Sequence, residues 1–106
     1  MMDTERRLAW QQIVEFTENV LSLARSQEWD AMLQMYRDRD DLLQTFFAKP
    51  IDQADSAEMG ELIRSLMAHD QEIQALCMAA KDEAARELGK VNLGRKAEAA
   101  YSRFGG

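Results

Sequence analysis

The sequence predicts an all-α fold: an antiparallel three-helix body with a long third helix, plus a short C-terminal fourth helix that is either docked or mobile. Three observations predict it. Apolar residues recur at gaps of three, four and seven along most of the 106 residues. One proline and five glycines leave few interruptions. At 46% hydrophobic residues the chain carries enough apolar surface for one modest core. The length is that of a single domain.

The first helix is predicted over about 5–25. Its apolar face reads Leu8, Trp10, Ile13, Val14, Phe16, Val20, Leu21 and Ala24, and Asp3 or Thr4 is placed to cap its first turn. A second stripe follows at Trp29, Met32, Leu33, Tyr36, Leu43 and Phe47. Extending the first stripe lands on Gln27, Glu28 and Ala31 instead, and this slip of phase marks a turn at Arg25-Ser26-Gln27. Ser26 is the candidate cap of a second helix over about 28–48. So short a connection makes the two helices antiparallel neighbours. Trp10 and Trp29 are expected to anchor opposite ends of this hairpin.

Lys49-Pro50 closes the second helix, because the residue before proline is pushed out of the helical region. Residues 52–56 read as a polar loop. The third helix, about 57–88, carries Met59, Leu62, Ile63, Leu66, Ile73, Leu76, Cys77, Ala80, Ala84 and Leu88. Gly89 is its candidate stop. At 1.5 Å per residue it reaches ~48 Å against ~32 Å for each earlier helix, so roughly ten residues overhang. Ala79, Ala80, Ala84, Ala85 and Leu88 lie on that overhang. The fourth helix, about 93–104, shows Leu93, Ala97, Ala100, Tyr101 and Phe104, with Asn92 or Gly94 at its start.

Charge divides the chain. Residues 89–106 hold Lys90, Arg95, Lys96 and Arg103 against Glu98, a net +3, and the remainder holds 9 basic and 18 acidic residues, a net −9. A basic amphipathic tail behind an acidic body reads either as a permanently docked fourth helix or as a lid that detaches. The net −6 of the whole chain gives no basic face for general nucleic-acid binding.

Enzyme chemistry is not predicted. His69 is the one histidine and Cys77 the one cysteine, which excludes paired-histidine metal sites, cysteine zinc sites and an internal disulfide. No glycine-rich phosphate loop is present, and no cofactor is expected. Cys77 reads as an inert buried thiol, and a helical enzyme built on Cys77 and His69 is the least favoured reading. Asp70 stands where the stripe between Leu66 and Ile73 calls for an apolar residue. It therefore faces a wet groove or pairs with an arginine. The run Arg37-Asp38-Arg39-Asp40-Asp41 reads as a solvated face with an Arg37–Asp41 pair. Met32, Met35, Met59, Met67 and Met78 are expected mainly to fill the core. No apolar run approaches the ~20 residues that span a bilayer, and Met1 to Arg7 lacks the pattern of a signal peptide. No membrane insertion and a cytoplasmic location are the expectation.

Three stretches carry a resemblance: Gln27-Glu28-Trp29-Asp30-Ala31-Met32-Leu33, then His69-Asp70-Gln71-Glu72-Ile73 with Leu76 and Lys81-Asp82-Glu83, and the tail Arg95-Lys96-Ala97-Glu98-Ala99-Ala100-Tyr101-Ser102-Arg103-Phe104. In order and spacing they resemble the flagellar export chaperone FliT family. The resemblance implies a cytoplasmic type III export chaperone. Its implied partners are the C-terminal segment of the filament-cap protein, the export ATPase complex and the flagellar master transcription regulator. It also implies that the last helix shields binding surface. On this chain the shielded surface matches Asp70, Ile73, Cys77, Ala80, Ala84 and Leu88, and the lid matches Leu93, Ala97, Ala100, Tyr101 and Phe104. The chain stops soon after Phe104, where some relatives run on. A static helical adaptor of the export machinery is the alternative, and an exposed groove allows a homodimer.

Overall fold

The computed structural model describes residues 2–104, leaving aside the side chains of 92–93 and 97–104. The fold is all-α. Helix α1 spans Thr4–Arg25, α2 spans Trp29–Ala48, and α3 spans Ser56–Phe104 after a 3-10 turn at Gln53–Asp55. The chain divides into two compact units, Met1–Leu76 and Cys77–Gly106.

Local chemistry sets the ends of α1 and α2. The Asp3 carboxylate accepts from the Arg6 N–H at 2.8 Å, which satisfies one of the orphan donors of the first turn of α1. The turn into α2 is made by Ser26 and Gln27. Ser26 is the C-cap of α1, its hydroxyl donating to the Ser22 carbonyl at 3.0 Å. Ser26 therefore does not cap α2, as the spacing suggested; Glu28 stands at that position with no side-chain cap bond. Gln27 takes φ 60°, the left-handed conformation that reverses the chain within two residues. Lys49 ends α2 with extended backbone, φ −93° and ψ 126°, as a pre-proline residue must.

Within the first unit the helices run up, down and up. Arg6 near the start of α1 donates to the Phe46 carbonyl near the end of α2 at 3.3 Å, so these two are antiparallel. Arg7 pairs with Glu58 at 2.8 Å and Arg25 pairs with Glu72, so α1 and α3 run in the same direction. The core lies where the three meet. Trp10, Ile13, Phe46, Met59 and Leu66 are buried together with Met2. Trp10 and Phe46 sit 5.3 Å apart by ring centroid, and the Arg6 guanidinium stacks on the outer side of Phe46 at 4.2 Å. Among the described side chains of α3 the buried ones are Met59, Leu66 and Ile73, seven residues apart.

Several stripe positions differ from the sequence expectation. Leu8, Leu33 and Phe47 are exposed, while Thr17 and Phe46 are buried in their stead. Each helix presents a strip about two residues wide to its neighbours, so the outer apolar residues fall outside it. Thr17 is accommodated because its hydroxyl donates to the Ile13 carbonyl at 2.8 Å. Met67 and Met78 are also exposed and fill no core.

The predicted stop at Gly89 is not realised. Helical backbone continues through Gly89 to Phe104, so the C-terminal helical segment follows α3 without a turn. Gly89 lacks the positive φ of a terminating glycine, and a Cβ there would meet nothing within 4 Å. Glycine in an exposed helix costs stability without ending the helix.

Candidate partner-binding surfaces

The six residues singled out on the third helix separate into three environments. Asp70 is engaged at the α2–α3 contact, where its carboxylate accepts from the Arg39 guanidinium. Of the two alternatives for Asp70, the arginine partner is the one observed. Ile73 is only 3% exposed and is taken up by the body. Cys77 and Ala80 are half-buried, so Cys77 is not the fully buried thiol its stripe position suggested. Ala84 and Leu88 are exposed. The lid residues Leu93, Ala97, Ala100, Tyr101 and Phe104 have side chains outside the described residues.

Arg39 is the residue the sequence reading missed. Its side chain is 2% exposed in the middle of a run read as solvated. Arg39 lies seven residues after Met32 and seven before Phe46, and all three are buried. A helix face repeats at that interval. The signal was present as a charged residue on the buried stripe of α2, matched by an opposite charge, Asp70, on that of α3. Burial lowers the guanidinium pKa, but hydrogen bonding to Asp70, its negative charge and the Asp40 carboxylate outweigh burial and raise it. Tyr36 adds its ring face at 4.5 Å. Among the described residues Arg39, and not Arg37, forms the ion pairs of this run, with Asp40 and Asp70.

Two grooves flank α1. The one shared with α2 has a volume of ≈ 420 Å³ and is bordered by Arg6, Phe46 and Lys49. Arg6 spends its donors there on the Phe46 and Lys49 carbonyls. The groove shared with α3, ≈ 500 Å³, has a floor of Trp10, Val14, Leu62 and Leu66 and a border of Glu15, Glu18 and His69. The His69 Nδ1 lies 2.9 Å from the Ser65 carbonyl, to which it donates. That bond holds the ring against its own helix.

In the second unit the described side chains of 81–91 and 94–96 are all exposed. Ala84, Leu88 and Val91 follow one another at i, i+4 and i+7, which places them on one helix face. Leu88 is 65% and Val91 49% exposed. Val91 was absent from the sequence-derived stripe, although its spacing from Leu88 was readable. No group of three or more His, Cys, Asp or Glu among the described residues is arranged to hold a metal ion. None of their helices is long and apolar enough to cross a membrane.

A family model described as Flagellar protein FliT matches residues 8–103. The chain belongs to the FliT family. No curated protein and no solved structure matches it. FliT membership makes this a protein of the flagellar export chaperone class, whose work is done by protein–protein contact. The chemistry available on this FliT chain agrees with that class. It offers an ion-paired helical body, an open apolar groove and an exposed apolar row.

Proposed function

We propose that this FliT-family chain is a cytoplasmic type III export chaperone that binds the C-terminal segment of the flagellar filament-cap protein. It keeps that segment soluble and delivers it to the export ATPase complex. Through the same kind of contact it restrains the flagellar master transcription regulator. The observation that carries this reading is the exposed row Ala84, Leu88 and Val91, an apolar face on a stretch, 81–91, whose other residues are mostly charged. Such a row takes an amphipathic helix in the helix-in-groove mode. Small Ala80 and Ala84 let the bound backbone approach closely, and Leu88 and Val91 supply the area. The contact is modest in strength, as a chaperone that must release its cargo requires.

Titration calorimetry with the cap protein's C-terminal segment tests the assignment. Leu88→Asp removes burial worth on the order of 1.5 kcal/mol, about a tenfold loss of affinity. Leu88 is exposed, so the fold survives the change and circular dichroism will match the parent. Unchanged affinity would remove this face from the binding surface. Deleting residues 93–106, which include the proposed lid, is expected to strengthen binding of the segment, and unchanged affinity would count against the lid.

A further inference from the structure

The groove between α1 and α3 has a separate use from the exposed row of the second unit. Beside its ≈ 500 Å³ lies a second cavity of ≈ 230 Å³ that is also lined by Trp10, Gln11 and Leu62 and extends to Leu8 and Glu58. Along α1 the two together border residues from Leu8 to Glu18, ~15 Å or three helical turns at 1.5 Å per residue. The floor is apolar, and Leu8 at its outer end is 59% exposed.

Its border is electrostatically incomplete. Arg7 and Glu58 at one end satisfy each other, as do Glu61 and Arg64 on α3. Glu15 and Glu18 are exposed, three residues apart on one face of α1, and neither has an ion-pair partner among the described residues. The facing border on α3 is Ser65 and His69, and neither lysine nor arginine is among the residues lining this groove. An apolar trough three turns long beside two unmatched carboxylates is complementary to one kind of partner. We infer that this groove is a second docking surface, and that its occupant is an amphipathic helix of about three turns, from another protein, with Lys or Arg flanking its apolar face. The apolar face lies on Trp10, Val14 and Leu62, and the flanking cations meet Glu15 and Glu18. The α1–α2 groove fits such a helix less well, because its border is mixed in charge, with Arg6 and Lys49 beside Glu5.

The probe is a synthetic 14-residue helical peptide with leucines at i, i+3, i+4 and i+7 and flanking lysines, and the control replaces each lysine by glutamate. Amide shifts of the full, isotope-labelled chain locate binding, and the Trp29→Phe variant makes Trp10 a single fluorescent reporter. Expected are shifts confined to residues 8–18 and 58–69 and a saturable change in Trp10 emission. The double variant E15Q/E18Q is expected to weaken binding at least fivefold and to flatten its salt dependence, and the glutamate peptide is expected not to bind. Equal binding of both peptides, an unaffected E15Q/E18Q variant, or shifts confined to residues 77–91 would each overturn the assignment. The last outcome would leave the cap-protein reading standing. Failure of the Leu88→Asp test would likewise leave this groove untouched, because the two surfaces share no residue.

Discussion

At the scale of single residues, the pair of buried Arg39 and half-buried Asp70 has the largest consequence. Arg39 is sunk to 2% exposure and its Nε has no hydrogen-bond partner among the described residues, so Asp70 and Asp40 carry its compensation. Removing one member of a buried pair leaves the other uncompensated. Asp70→Ala is expected to cost about 3 kcal/mol in urea denaturation, while the double change R39M/D70L recovers most of that loss, because apolar side chains of similar volume need no partner. The raised guanidinium pKa of Arg39 fixes the pH behaviour of the pair. A basic group raised on folding contributes stability that is present below its unfolded value and lost only as pH climbs past it. Arg39's share therefore persists through neutral and mildly alkaline pH. A fall in stability over that range that vanishes in R39M/D70L would contradict this.

At the scale of elements, both departures from simple helix rules concern a backbone position. Gln27 holds φ 60° in an exposed two-residue turn. A side chain there costs roughly 1 kcal/mol that glycine avoids. Gln27→Gly is thus expected to stabilise the hairpin by about 0.5 kcal/mol, measured as a higher urea midpoint, and Gln27→Val to lower it. Gly89 poses the opposite case. It lies inside the helical run of α3 with free space where a Cβ would go. Gly89→Ala is expected to add close to 1 kcal/mol of local helix stability, seen as slower amide exchange at its neighbours. If the change instead lowers helicity, Gly89 ends the helix in solution.

At the scale of the whole molecule, the two units differ in what supports them. The first buries Trp10, Ile13, Val20, Phe46, Met59, Leu66 and Ile73 among three helices. In the second, every described side chain of 81–91 is exposed, so helix propensity and pairs such as Lys90–Glu87 at 3.5 Å are its local supports. Amides of 81–91 are expected to exchange orders of magnitude faster than those of 10–24, which open only with the core. A cargo helix seated on Leu88 and Val91 slows the former without changing the latter. That selective protection is the signature of the proposed chaperone contact.

Periodicity and breakers by themselves determined the helical class, the reversal near Gln27 and the stop before Pro50, because these follow from the period of the backbone and from local φ and ψ. The order of three short stretches also carried the FliT resemblance. Tertiary structure decided which members of each apolar set are inside. Leu8, Leu33 and Phe47 gave way to Thr17 and Phe46, since a helix face admits a contact strip whose rotation its neighbours choose. It also decided that Arg39 turns inward, a choice that only the opposing carboxylate of Asp70, 31 residues away, makes affordable. The candidate surfaces follow the same division. The exposed row at Ala84 and Leu88 was legible as spacing along one helix, whereas the acidic-bordered groove exists only where α1 and α3 come side by side.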